Sequence, residues 1–355
     1  MIFIRVGFTH SVTILDISGI CRHWRQVVLA TPKAWSTISP EVAKNRVRQS
    51  LYITRSKPAL LHVTLDPKTN YALTPILQET ERMNCLSMGR YYSMLMYRFS
   101  ELEKLILLPS TSVDDAEEWH VGSSCLSRYK FPKLKVLVAN EPPFVTFDLH
   151  PISPKFPPLQ CLATTLHFES SERYTTFVCR QTLVSLSVTV SAGHFSDFDE
   201  VLNLPRLRYF KIVDPRETIL SVTLEVDAPH LVSVHLILTD WKSTELRLRD
   251  SSTVTHLQTH DIQDVYLYPA LQSLWIEETI GSNLFSEAKL GICLDKCPHL
   301  ENIRCIYNSV PDFELEGTIR DSLLARGSTI SVSSADSAEV DLPGSVISTD
   351  MSCNC

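Results

Sequence analysis

The sequence predicts an α/β fold: a short helical hairpin at the amino end, then an open solenoid of stacked repeats whose strands form a parallel sheet. Three observations lead there. A leucine-anchored pattern recurs from residue 99 onward in units too short to enclose a core of their own. A proline stands two residues before most of the anchors. Residues 14–38 carry apolar side chains at helical spacing, with two tryptophans among them.

The hairpin comes first. Apolar residues fall at Ile14, Ile17, Cys21, Trp24 and Val28, with Ile20 and Val27 beside them, the three-and-four spacing of one helix face. That face is expected to be buried, with Arg22, His23, Arg25 and Gln26 pointing outward. Thr31 followed by Pro32 pairs a capping hydroxyl with a ring pre-set for a first turn. A second short helix is therefore expected to start at Pro32 and to bring Trp35 and Ile38 back toward Trp24, so that two indoles bury large areas together. Ser39 and Pro40 repeat the signal and open a helix expected to run through Arg55, with Val47 and Leu51 on one face. Lys57-Pro58 then leads into a strand-like ALLHVTL, and a helix-and-strand stretch from Tyr71 to Tyr97 reaches the first clear repeat.

The repeats read FSELEKLILL from Phe99, FPKLKVLV from Phe131, FPPLQCLA from Phe156, QTLVSLSV from Gln181 and LPRLRYFKI from Leu204. They continue as APHLVSVHLIL from Ala228, STVTHLQT from Ser252, YPALQSLWI from Tyr268 and CPHLENIRCI from Cys297. Their first anchors are Leu102, Leu134, Leu159, Leu183, Leu207, Leu231, Val254, Leu271 and Leu300, separated by roughly 32, 25, 24, 24, 24, 23, 17 and 29 residues. A unit of this size must stack on its neighbours to bury its apolar face. Pro132, Pro157, Pro205, Pro229, Pro269 and Pro298 precede their anchors by two residues, where a ring that donates no ladder hydrogen bond suits the start of a strand. Segments between strands, such as Phe195–Leu202, are expected to be short helices or turns on the outer face. The last stretch, 327–355, has eight serines and few large apolar residues and reads as disordered.

The amino-terminal segment resembles the second half of the F-box of fungal proteins: Cys21, Arg22, Trp24 and Arg25 in the helix, then Thr31, Pro32, Trp35, Ser36 and Ile38 in the turn. The family's opening Leu-Pro-x-Glu turn and first helix have no counterpart in residues 1–15. The repeats resemble the degenerate leucine-rich repeats that follow fungal F-boxes, without their regular asparagine. The resemblance implies a substrate-recognition subunit of an SCF-type cullin-RING ubiquitin ligase. Ile17, Ile20, Cys21, Trp24, Val28, Pro32 and Trp35 would build the unit that docks on the Skp-family adaptor, as hairpin core or as contact. The solenoid would hold a protein client and raise the effective concentration of its lysines, without chemistry of its own. The alternative is a stand-alone leucine-rich-repeat scaffold in which the hairpin caps the first repeat. The organisation this implies is a partial F-box-like segment over 1–39, a helical linker and first repeat over 40–98, the solenoid over 99–326 and the serine-rich tail over 327–355.

Composition narrows the classes. A net charge of −7 argues against a nucleic-acid surface, and the local basic run Lys44, Arg46 and Arg48 reads as a solvated helix face. No apolar run approaches the ~18 residues of a membrane span. Met1–Ile20, interrupted by Arg5, His10 and Asp16, makes a poor signal peptide. Ten cysteines without framework spacing suit reduced thiols, so the expected location is cytoplasmic, nuclear or both. No catalytic constellation, cofactor site or metal site is expected. Cys293, Cys297, His299 and Cys305 have only one C-x3-C spacing and read as repeat core. Cys21 and His23 are two apart on a helix and face different ways. Cys353-Asn354-Cys355 is not a prenylation box, ten glycines leave little for a phosphate loop, and Asp114–His120 reads as a solvated acidic insertion.

Overall fold

The computed structural model describes residues 14–66, 73–89, 92–108, 126–139, 157–166, 179–190, 201–214, 222–238, 244–259, 265–278, 295–307 and 329–334. The chain is α/β and forms two compact units, Met1–Gln160 and Cys161–Val346. Among the described residues no helix is long and apolar enough to cross a membrane.

In the first unit the helices are α1 (Ile14–Ile20), α2 (Arg22–Leu29), α3 (Pro40–Lys44), α4 (Arg46–Arg55) and α5 (Thr74–Leu77). The strands are β1 (Thr37–Ile38), β2 (Leu61–Thr64), β3 (Met83–Met88), β4 (Lys104–Leu107) and β5 (Val136–Ala139). They pair in chain order and all in parallel. Ile38, Val63, Leu86, Leu105 and Leu137 occupy one register position on successive strands, and all five are buried. Among the described residues the parallel ladder therefore begins at Thr37, ahead of the first repeat read within 40–98 and of the array read from residue 99. Its first three strands fill the buried position without the leucine spacing that marks the later ones.

The second unit contributes β6 (Cys161–Leu166), β7 (Ser185–Val190), β8 (Leu202–Asn203), β9 (Tyr209–Asp214), β10 (Val222–Asp227) and β11 (Ser233–Leu238). It continues with β12 (Thr244–Leu248), β13 (His256–Thr259), β14 (Ser273–Glu278), β15 (Asn302–Tyr307) and β16 (Thr329–Ser334). Strands β6, β7, β9, β11, β13, β14, β15 and β16 form one parallel succession. Its central column runs Leu162, Leu186, Phe210, Val234, Leu257, Leu274, Ile303 and Ile330, each residue opposite the next. The first seven are buried. All nine anchors read from the sequence are buried as well, three residues ahead of their column residue. Full burial of each such leucine contributes about 1.5–3 kcal/mol.

Five of the six prolines do something other than start strands. In Phe131–Leu134, Leu204–Leu207, Ala228–Leu231, Tyr268–Leu271 and Cys297–Leu300, the anchor N–H donates to the carbonyl three residues back, at 3.0–3.4 Å. The proline is then the second residue of a β-turn, where its fixed φ is already the one required. The repeat at Ser251–Val254 closes the same bond at 3.2 Å without proline. There the Asp250 carboxylate accepts from the Ser252 N–H at 2.9 Å and its hydroxyl at 2.6 Å. These hydrogen bonds hold the Asp250 carboxyl below its usual range. Beyond each turn a second ladder links neighbours: the N–H groups of Arg208, Val232, Thr255, Gln272 and Glu301 donate to the corresponding carbonyls of Val184, Arg208, Val232, Thr255 and Gln272, at 2.8–2.9 Å.

Three expectations are corrected. Where the outer segments between Leu202 and Leu248 are described they are strands, not helices or turns: β8, β10 and β12 form a second parallel sheet, because VTLEVD and TELRL alternate apolar and polar residues at a strand's period of two, whereas Val265–Leu267 is the expected short helix. Phe195–Glu200 lie outside the described residues. The helix expected to run from Pro40 through Arg55 breaks at Asn45, whose side chain caps α4 by accepting from the N–H groups of Val47 and Arg48 at 3.0 and 3.1 Å. That shift of phase leaves Val47 79% exposed and turns Gln49, Tyr52 and Ile53 inward. Finally, the tail read as disordered contains β16, paired with β15; the alternation of Ile330 and Val332 among serines and a threonine is a strand pattern that serine content concealed. Residues 335–355 lie outside the described ones.

The two devices of the repeat should separate by magnitude. Leu207→Ala or Leu231→Ala, each emptying a fully buried site, should cost about 2–5 kcal/mol in urea unfolding. Pro205→Ala or Pro229→Ala should cost about 0.4–1 kcal/mol, through the freedom returned to the unfolded chain. Equal costs would contradict this division.

Candidate functional site

The amino-terminal helices form two short elements. Cys21 adopts an extended conformation (φ −157°, ψ 171°) between α1 and α2, so the expected single face is split there. The split sorts the seven residues of the expected docking unit. Ile17, Val28 and Trp35 are buried; Ile20 is 68% exposed, Cys21 is exposed, and Trp24 and Pro32 are half-buried. The expectation that Ile20, Cys21 and Trp24 belong to a fully buried face is therefore corrected. The helix expected at Pro32 is a single 3-10 turn, Pro32–Trp35. Thr31 does not cap it with its side chain; the hydroxyl turns back to donate to the Val27 carbonyl at 2.7 Å.

Trp35 is the centre of this unit. Its Nε1–H donates to the Val28 carbonyl at 2.8 Å, which satisfies one of the last acceptors of α2. Its ring meets Tyr52 of α4 edge-on, with centroids 5.1 Å apart. Tyr52 is hydrogen-bonded to the backbone of Ile14, and burial, reinforced by Asp16 against the opposing pull of Arg48, raises its hydroxyl above the ordinary phenol range. The aromatic found across from Trp35 is thus Tyr52, which lay outside the motif. Trp24 stands 5.5 Å from the ring of His23, the two tilted by 57°.

Arg82 ties the far side of this unit down. Its Nε donates to Glu79 at 2.7 Å, one Nη to the Ala59 carbonyl at 2.8 Å, and the other Nη to the Ile53 carbonyl at 3.3 Å and the Ser56 hydroxyl at 3.2 Å. The cation thereby sits at the carboxyl end of α4, where the helix dipole favours it. Neither Asn45, Tyr52 nor Arg82 was part of the expected site. Asn45 had a visible signal, a capping residue ahead of a helical run, whereas Arg82 carried none.

The remaining chemistry is structural where it is described. Cys297 is fully buried, with Sγ 3.5 Å from the Val265 carbonyl and 3.6 Å from that of Tyr268, and burial pushes its thiol up. His299 is exposed. Cys293, the side chain of Cys305 and Asp114–His120 lie outside the described residues. Lys44, Arg46 and Arg48 are all exposed. No family model matches the chain, and no curated protein matches it.

Arg82→Ala should lower stability by about 2–4 kcal/mol, because the side chains of Arg82 and Glu79 are only 18% and 14% exposed and the carboxylate would lose its partner. Lys57→Ala, which removes a 61% exposed partner of the same Glu79, should cost under about 1 kcal/mol; a smaller loss for Arg82 than for Lys57 in thermal unfolding would contradict the assignment. Alkylation mapped by peptide mass should find Cys21 modified in the native protein and Cys297 only after unfolding. Native labelling of Cys297 would show that its repeat is open.

Proposed function

We propose that the chain is a client-recognition subunit of an SCF-type cullin-RING ubiquitin ligase, similar to fungal F-box proteins with leucine-rich repeats. The amino-terminal helices dock on the Skp-family adaptor, and the parallel array, a leucine-rich-repeat-like solenoid, holds a protein client in the cytoplasm or nucleus. One observation carries the reading. The resembling segment divides into residues that fasten it to the chain, Ile17, Val28 and Trp35, and residues that stay at the surface, Ile20, Cys21 and part of Trp24. An isoleucine two-thirds exposed and a tryptophan kept partly at the surface suit a docking surface better than a segment that serves only as core. The parallel strands that follow support the reading of a client-holding array, whose contribution to ubiquitin transfer would be the effective concentration of client lysines.

A second reading has its own support. Trp35, Tyr52 and α3 pack around β1, the first strand of the ladder, which is where a repeat array needs a cap. In that case the chain is a protein-binding scaffold outside the ligase.

Co-purification with the Skp-family adaptor separates them. The informative variants are Ile20→Asp and Trp24→Ala, since Trp35→Ala would remove core and unfold the segment. Loss of the adaptor from both, with the melting temperature within about 2 °C of the parent, supports docking. Adaptor binding that is absent from the parent, or indifferent to both changes, leaves the cap.

A further inference from the structure

Two consecutive repeats of the first unit open on the same short motif. Met96-Tyr97-Arg98-Phe99 and Arg128-Tyr129-Lys130-Phe131 occupy corresponding positions, each ahead of its anchor, Leu102 or Leu134. The phenylalanines are the fixed part: both are fully buried, and their rings stack with centroids 5.4 Å apart and planes 8° from parallel. The Phe99 N–H donates to the Lys130 carbonyl at 2.8 Å, so the two segments are backbone neighbours. What precedes each phenylalanine stays at the surface. Met96, Tyr97 and Tyr129 are 66%, 47% and 73% exposed, Arg98 and Arg128 are exposed, and Lys130 is half-buried.

The side chains cross between the segments and form one patch. The Arg98 guanidinium lies over the Tyr129 ring, 5.2 Å from its centroid, and Lys130 Nζ is 3.9 Å from the Met96 sulfur. Neither contact neutralises a charge. Among the described residues no carboxylate pairs with Arg98, Arg128 or Lys130, whereas the acids of the first of these repeats, Glu101 and Glu103, are held by Lys133 and Lys135 at 2.6 and 2.9 Å. Cations without counter-charge are thus gathered around two tyrosines and a methionine, in a chain whose net charge is −7.

Exposed apolar side chains gathered in one place mark a surface that another molecule covers. Tyrosine, methionine and arginine are the types enriched where proteins meet: the rings supply rigid apolar area, and a guanidinium stacked on a ring keeps its planar fork for a carboxylate. Charge selects the kind of partner, because a basic or neutral segment would cover the cations without compensating them. A nucleic-acid backbone draws its affinity from many cations along its length, and here the carboxylates of Glu101 and Glu103 follow directly along the chain. We propose that this patch binds an acidic segment of a partner protein, with carboxylates engaging Arg98, Arg128 and Lys130 and an apolar side chain between them lying against Tyr97, Tyr129 and Met96. The inference goes beyond the ligase reading: it uses no residue of the amino-terminal docking unit and applies equally to a stand-alone scaffold.

The test uses the full chain and a fluorescein-labelled peptide of about ten residues in which glutamates alternate with leucines, followed by anisotropy. Its glutamine counterpart and an oligothymidine of similar length are measured alongside, with co-sedimentation on vesicles of mixed phosphatidylserine and phosphatidylcholine. Saturable binding of the glutamate peptide is expected, weakened about tenfold or more in the glutamine peptide and in Arg98→Glu and Arg128→Glu. Tyr129→Ala should weaken it about fivefold or more. These positions are exposed, so the variants should keep the parent's melting temperature. Lys296→Glu, an exposed cation of the other unit, should leave binding unchanged. Absence of saturable binding, equal affinity for both peptides, no effect of the charge reversals in folded protein, or a preference for oligothymidine or vesicles lost in the same variants would overturn the proposal. Binding that arises only once Asp114, Asp115, Glu117 and Glu118 are replaced by their amides would also overturn it, by assigning the patch to the chain's own acidic run. Adaptor co-purification responds to Ile20 and Trp24 and not to Arg98, so the two readings fail separately.

Discussion

Everything in this chain depends on the register of parallel neighbours. A four- to six-residue strand with one or two inward leucines cannot exclude water from them; it becomes stable only when the strands on either side place their own apolar residues at the same height. In the first unit that column is Ile38, Val63, Leu86, Leu105 and Leu137, and in the second it runs from Leu162 to Ile303. A one-residue slip anywhere would exchange the apolar face for the polar one. The turn ahead of Leu134, Leu207, Leu231, Val254, Leu271 and Leu300 works against the slip, because it is closed by the anchor's own N–H and fixes where the strand begins. Charges follow the same register: Lys133 meets Glu101 at 2.6 Å and Lys135 meets Glu103 at 2.9 Å, each pair from corresponding positions on either side of consecutive anchors. These pairs are half-exposed and contribute little energy, but they disfavour mispairing.

Register also determines what the other face can do. Residues that share a height on successive strands arrive as rows, so single sequence positions scattered over nearly a hundred residues become one surface about 20 Å long. A repeat array converts distance along the chain into adjacency in this way. The amino-terminal segment is joined to its first strand by different means: a tryptophan hydrogen-bonded to a helix end, an aromatic pair, and an arginine spanning three carbonyl or hydroxyl acceptors and one carboxylate. Burying Trp35 this way frees Ile20 and Trp24 from a core role.

Much of this was legible in the sequence. The nine anchors were readable because leucine spacing survives in a single chain, and each is buried. The prolines were visible, but their role was misread: a residue lacking an N–H suits both a strand's start and the second place of a turn, and only the anchor's hydrogen bond distinguishes them. The strand-like ALLHVTL and the helix-and-strand stretch from Tyr71 to Tyr97 supply β2 and β3, but β1 and the common register of Ile38, Val63 and Leu86 were not read, because helices separate them and they follow no common motif. The outer strands β10 and β12 were missed because short alternating segments between repeats carry less apolar signal than the repeats themselves. In the candidate site, helical spacing placed Ile17 and Val28 correctly in the core, yet it carried the same phase through Cys21, where the backbone becomes extended. Arg82 could not have been found, since its four partners are brought together only by the packing of α4 against the following turn.

The account predicts that the repeats of the second unit open together and not one by one. Amide hydrogen exchange resolved to single residues on the intact chain measures this directly at Arg208, Val232, Thr255, Gln272 and Glu301, whose N–H groups link each repeat to the one before. Protection of all five, at closely similar opening free energies, is the result the register-locked array requires. Exchange at any of them as fast as in an unstructured peptide would contradict it, because a repeat that does not hold its neighbour's carbonyl cannot hold its leucine column either.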